Sequence, residues 1–366
     1  MPPQLHLVEP STAALVGLTS TAMSVLIVLT GRWHGKHTHD SSDGVQKFHT
    51  APTPRIGGLA IFAALFVAWL LLPKGSGMLL GLMLIASLPA FVAGFIEDLT
   101  KRVGVRERLL ATILSGVAAY YLTGYSLTRV DVPGFDVLLQ WMPFTVAFTA
   151  FAVGGVANSV NIIDGFNGLA GGVLMICFGM LAAIAWQVGD THLAKLCILF
   201  ILCVAGFMFL NFPFGKIFMG DGGAYLMGFL LAWTAVMLPA RNPEVSPWAA
   251  SVVCSFPLIE TLFSMFRRIW TRSHPGQPDT NHLHSLVKLK IVRRYLSRPN
   301  PSLRNGAVSP FCWVLAFCFA VPATFFYADT AALMLSSLGM LLIYGVMHAA
   351  LSRMPVVVED GGGASR

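Results

Sequence analysis

The chain has 366 residues, of which 55% are hydrophobic and only 11% are Asp, Glu, Lys or Arg, with a net charge of +7. A soluble domain carries about 25% charged residues. A mean hydropathy of +0.71 points the same way: the supply excludes a water-covered enzyme, a disordered chain and a nucleic-acid-binding module, and predicts an all-α polytopic membrane protein.

Taken from the N-terminus, MPPQLHLVEP lacks basic residues, so no cleaved signal peptide is expected and the first apolar run should remain as a span. A bilayer core needs about 20 apolar helical residues. Eleven runs are candidates: 11–30, 56–73, 78–96, 109–123, 143–161, 168–188, 196–210, 222–239, 249–266, 308–327 and 332–351. They make one membrane domain over 1–366, with a long basic loop at 267–307 and a flexible tail at 352–366. All six cysteines lie in apolar runs without a CxxC pair, which reads as packing rather than metal or redox chemistry.

Lys and Arg set the orientation. Twenty of the 24 fall on one side of the proposed spans, and Lys74, Arg129, Lys195 and Arg241 on the other. The rule then predicts an outside N-terminus and a cytoplasmic C-terminus. On the same basic side lie Glu97, Asp98, Asp164, Asp221, His282 and His284, drawn from four separate parts of the chain. Carboxylates at the water boundary beside basic loops suit a metal–phosphate site, whereas a lipid or sugar-nucleotide transporter would place charges near the midplane.

Five motifs carry this chemistry. Glu97-Asp98 ends a span, and adjacent carboxylates are compatible if a cation lies near them; a solvated helix end explains them equally. Asn158, Asn161 and Asp164 are spaced by three and share one helix side, followed by Gly165 and Gly168, which permit close backbone approach. Gly220-Asp221-Gly222-Gly223 opens a span, where a carboxylate can hold Mg²⁺ and free N–H groups can face a phosphate. His282 and His284 lie in the 267–307 loop, which carries nine basic residues against one acid, Asp279; some of those cations also suit anionic lipid headgroups. Lys47 and Arg55 precede the second span and can reach phosphate oxygens. Glu260, the one charge well inside a run, reads as a structural residue paired within the bundle.

These five motifs, in this order from Lys47 to His284, resemble the polyprenyl-phosphate N-acetylhexosamine-1-phosphate transferases (glycosyltransferase family 4). The His282-Leu283-His284-Ser285 element is similar to the WecA- and TagO-like branch rather than to the related MraY translocases, whose reaction is the alternative. The resemblance implies Mg²⁺, with Mn²⁺ as a substitute, on Asp221, Asp98 and Glu97; Glu97 stands where the family usually has Asp. It implies catalytic roles for Asp98, Asp164, His282 and His284, and substrate binding by Lys47, Arg55, Asn158, Asn161, Gly165 and Gly168. Asp164 could deprotonate the lipid phosphate, or help build the nucleotide pocket or metal shell. The implied partners are a UDP-N-acetylhexosamine, undecaprenyl phosphate and membrane lipids, without nucleic acid; a homodimer stays open. The implied place is the bacterial inner membrane, and the implied role is to initiate a surface polysaccharide such as O-antigen.

Overall fold

The computed structural model describes residues 7–40, 53–270, 281–296 and 301–355. Helices occupy all eleven candidate positions. They are α1 (Pro10–Thr38), α2 (Gly57–Leu71), α3 (Lys74–Thr100), α4 (Val105–Thr123), α5 (Met142–Ile163), α6 (Leu169–Gln187), α7 (Thr191–Asn211) and α8 (Gly220–Arg241). After these come α9 (Pro247–Val253), α10 (Ser255–Trp270), the short α11 (Leu283–Leu286), α12 (Val308–Ala320), α13 (Pro322–Phe326) and α14 (Thr330–Arg353). The one sheet among the described residues is a two-residue pairing of His39–Asp40 with Thr53–Pro54.

Eight helices are long and apolar enough to cross a membrane, or nine if α9 and α10 form one broken span. The expected count of eleven therefore exceeds what length and hydropathy support. Helix α2 has 15 residues, about 22 Å of rise against a core of about 30 Å. Helix α4 spends its first turn on Arg106, Glu107 and Arg108.

The run at 249–266 is broken, with α9 and α10 meeting at 77°. Pro257, in the first turn of α10, has no N–H for the carbonyl of Val253. The Cys177 thiol donates to that carbonyl instead, at 3.2 Å. The bend turns Glu260 into the protein, where it is fully buried.

Helix α8 is the axis of the bundle, with every residue from Gly220 to Pro239 buried. Such a helix is apolar on all sides because protein surrounds it. Helices at the rim instead show large apolar side chains outward, such as Leu335, Leu338 and Leu342 of α14. Close packing against α8 depends on small residues. A Cβ on Gly94 of α3 would sit 2.6 Å from the carbonyl carbon of Asp221, and one on Gly58 of α2 would overlap the Gly223 backbone.

The two ends of the bundle differ in chemistry. At the end where α8 finishes, Arg241 grips Asp190 through Nε at 2.6 Å and Nη2 at 3.0 Å, and its Nη1 donates to the Tyr125 hydroxyl at 2.7 Å. Burial opposes the Asp190 charge, but these donors outweigh it and hold the carboxyl below its ordinary range. The end where α8 begins carries the candidate site.

Candidate active site

The site begins with how α8 starts. Gly220 sits at φ 73°, a region that favours glycine, and a Cβ there would also meet Asp98 Oδ2 at 2.6 Å. The first N–H groups of a helix lack internal partners. Asp98, at the end of α3, supplies them: Asp221 N–H donates to its Oδ1 at 2.8 Å and Gly222 N–H to its Oδ2 at 2.9 Å. Arg55 Nε lies 3.2 Å from the same carboxylate. Asp98 is 1% exposed and both its oxygens are engaged, so it orients Asp221 rather than offering a free metal ligand.

Arg55 is pinned by backbone. Phe218 N–H donates to Pro54 O, Gly57 N–H to Phe218 O, and Gly58 N–H to Met219 O, at 2.8–2.9 Å. These bonds lace residues 54–58 to the approach of α8, so the guanidinium spans Asp98 and Asp221.

Asp221 is the hub. Its Oδ1 accepts from Arg55 Nη2 at 3.3 Å and from Asn161 Nδ2 at 3.0 Å. Its Oδ2 is buried and forms an ion pair with Arg108 Nη1. The Arg108 guanidinium also stands 5.8 Å over the Tyr225 ring, and the Tyr225 hydroxyl donates to Asn158 Oδ1 at 3.2 Å. Asn158 and Asn161, one turn apart on α5, thus both face α8.

Asp164 follows α5 directly and caps its end. Burial pushes its carboxyl up to about 8, the Asp98 charge adds to the rise, and Arg55 opposes it. The carboxyl is therefore in electrical reach of both. Gly165 beside it is exposed, and only His284 Nε2, at 3.8 Å, would meet a Cβ there. Phe166 contacts the His284 ring edge-on at 5.5 Å. His284 thus borders the Asp164 turn, and His282 stacks on it at 5.1 Å.

Two expected site residues lie elsewhere. Glu97 turns away from Asp98, and its Oε2 accepts Val103 N–H at 2.7 Å, closing the loop after α3. The adjacent carboxylates do not share a cation, because successive helical residues point about 100° apart. Gly168 has both backbone groups occupied, its N–H by Asn211 Oδ1 at 2.6 Å and its carbonyl by Trp313 Nε1 at 3.1 Å. It serves the packing of α6, not a ligand surface. Lys47 lies outside the described residues.

Arg108 and Glu260 were not among the expected site residues. Arg108 was counted only as a basic flank, although it stands one turn before Thr112, Ser115 and Ala119, the buried face of α4. That spacing is the signal for an inward cation, since Arg106 and Glu107 are exposed. Glu260, read as structural, meets His282, His284 and Tyr344.

A divalent cation would need hard oxygen ligands. The Asp221 carboxylate, the Asp164 carboxyl and the Asn161 amide oxygen are of that kind, and Arg55 and Arg108 pair with Asp221 there. The chemistry of these oxygens is compatible with a divalent ion at Asp221, whose backbone N–H is held by Asp98.

Comparison with known proteins adds a second line. Residues 80–239, which contain Asp98, Arg108, Asn158, Asn161, Asp164 and Asp221, match the model of glycosyl transferase family 4. That match takes in less than half of the 366 residues. An undecaprenyl-phosphate alpha-N-acetylglucosaminyl 1-phosphate transferase from Yersinia pestis is 28% identical over 247 residues, 66% of this chain and 67% of that protein. The Escherichia coli K12 protein of the same name is 28% identical over 254 residues, with the same shares. A probable undecaprenyl-phosphate N-acetylglucosaminyl 1-phosphate transferase from Bacillus subtilis is 27% identical over 243 residues, 65% of this chain and 66% of that protein. The matched region ends as α8 ends, so the histidine segment lies beyond it.

Proposed function

We propose that this membrane protein is a polyprenyl-phosphate sugar-1-phosphate transferase. It moves N-acetylhexosamine-1-phosphate from a UDP-sugar to undecaprenyl phosphate and releases UMP. The relatives named above act on undecaprenyl phosphate with N-acetylglucosaminyl 1-phosphate. The observation that carries the reading is the convergence of Arg55, Asp98, Arg108, Asn161 and Asp221 at one end of the bundle.

The chemical problem is repulsion between two anions. An oxygen of the lipid phosphate attacks the phosphorus that bears the sugar, and the bond to the bridging oxygen breaks as UMP leaves. Arg55 and Arg108 place two guanidinium groups where phosphate charge accumulates, and such preorganised charge is worth more in a partly dry site. Mg²⁺ at Asp221 and Asp164 would neutralise pyrophosphate oxygens when bound. Without a cation, burial raises the Asp164 carboxyl to about 8; a bound divalent ion would favour its carboxylate form, which suits a ligand role beside the phosphates. The exposed Gly165 leaves room for a ligand beside it. Direct attack is preferred to a covalent enzyme intermediate because the lipid phosphate is already a nucleophile.

The basic side is assigned to the cytoplasm, with the N-terminus outside and the chain in a bacterial inner membrane. Initiation of a surface polysaccharide such as O-antigen is the proposed role. The test is UMP release by purified protein in detergent, with undecaprenyl phosphate and a panel of UDP-N-acetylhexosamines. Detergent leaves no compartments, so a transporter gives no product. Absence of sugar-phosphate on the lipid with every donor overturns the proposal.

A further inference from the structure

One titratable cluster is not used by the mechanism above. Glu260 of α10 is fully buried, and three groups converge on its carboxylate. The Tyr344 hydroxyl of α14 donates to Oε2 at 2.7 Å. On the other oxygen, His284 Nδ1 lies 2.8 Å from Oε1 and His282 Nδ1 lies 3.4 Å from it. The two rings are parallel within 5°. His348 of α14 holds the start of this segment through Asn281 O at 2.9 Å.

The two ring edges of His284 thus face different partners. Nδ1 lies within ion-pair distance of the buried carboxylate, without the alignment of a hydrogen bond. Nε2 faces Gly165, one residue from Asp164. A carboxylate behind Nδ1 fixes the tautomer and rotation of an imidazole and leaves Nε2 as the reactive edge. A zinc-type site fits less well. Ligands at 2.0–2.1 Å from a tetrahedral ion stand about 3.3 Å apart, wider than the 2.8 Å observed.

We propose that Glu260, held by Tyr344, is a positioning residue that sets His282 and His284 so that the Nε2 edge of His284 shares a proton with a phosphate oxygen at the Gly165 turn. This deepens the transferase reading and rests on it. The phosphate oxygen belongs either to the sugar nucleotide or to the lipid. The break between α9 and α10 then has a purpose, because it aims Glu260 at the histidines.

The test uses full-length protein in detergent, with Glu260→Gln, Glu260→Asp and Tyr344→Phe. UMP release is measured while UDP-N-acetylglucosamine and undecaprenyl phosphate are varied separately. Histidine ¹⁵N spectra of labelled protein, with His282→Gln and His284→Gln for assignment, report the tautomers. Glu260→Gln should lower kcat about tenfold or more and move the His284 proton from Nδ1 to Nε2. Tyr344→Phe should lower kcat less and broaden the same signals. A KM rise confined to one substrate names the source of the phosphate. Glu260→Asp, which withdraws the carboxylate by one carbon, keeps the test alive if Gln does not fold, and should also lower kcat with altered histidine signals. Turnover within twofold of wild type, unchanged histidine spectra in the folded variants, or a stoichiometric transition metal lost with Glu260 would each overturn the proposal. The spectra are independent of turnover, so a wild-type protein inactive with every donor would sink the transferase reading without imitating this failure.

Discussion

Replacing Asp98 separates a structural cap from a metal ligand. Its carboxylate satisfies two buried N–H groups, of Asp221 and Gly222, at 2.8 and 2.9 Å. Leaving a buried donor unpaired costs about 1–3 kcal/mol. Asp98→Ala orphans both, a loss of ~2–6 kcal/mol; Arg55 keeps Asp221 as a partner, so its own term is small. Asp98→Asn retains one acceptor but turns an amide N–H₂ toward a backbone N–H, a loss of ~1–3 kcal/mol. The assay is thermal unfolding in detergent with EDTA, beside UMP release with Mg²⁺. In EDTA a pure metal ligand would be a repelling carboxylate, and its removal would raise the midpoint. A cap gives the opposite sign. An Asp98→Ala midpoint equal to or above wild type in EDTA refutes the capping assignment, and near-normal turnover of Asp98→Asn removes the residue from the site.

Asp221→Asn should abolish UMP release while the thermal midpoint in EDTA stays within a few degrees of wild type; substantial turnover would refute the metal role. Asp164 carries a pH signature. Its carboxyl rises to about 8 from an ordinary 3.8, so the folded chain holds more protons than the unfolded one between those limits. Stability should therefore fall as pH rises from about 4 to 8, by up to a few kcal/mol. Asp164→Asn should raise the midpoint of Mg²⁺-free protein more at pH 8 than at pH 5, and an equal change at both would sink the assignment. Gly94→Ala places a methyl against the Asp221 carbonyl, so it should lower the midpoint by several degrees and reduce turnover together; a neutral result would show that α3 and α8 are not in backbone contact. Arg108→Gln should raise KM for the UDP-sugar or lower kcat about tenfold or more, and kinetics within twofold of wild type would exclude Arg108 from charge stabilisation.

Much of the site was legible in the chain because its signals are local. Spacing by three placed Asn158, Asn161 and Asp164 on one side of a helix, and the structure shows Asn158 and Asn161 facing α8. Asp221 behind Gly220 marked a helix start. Arg108 was hidden because one cation among four reads as membrane flanking until the buried face of α4 is known. Glu260 was hidden because its histidine partners lie more than 20 residues further along the chain, beyond the end of α10.

The amino-acid pattern alone determined the membrane class, the eleven apolar stretches that hold helices and the end of the bundle that carries the acidic and histidine groups, but not the break within 249–266. Those follow from hydropathy and charge, which act on each stretch of chain separately. Tertiary structure decided the division of labour: Asp98 caps α8, Glu97 closes a loop, Gly168 packs, and Asp221 gathers two arginines and an asparagine. These outcomes depend on how helices cross, and crossing is set by small residues such as Gly58, Gly94 and Gly223 meeting backbone to backbone.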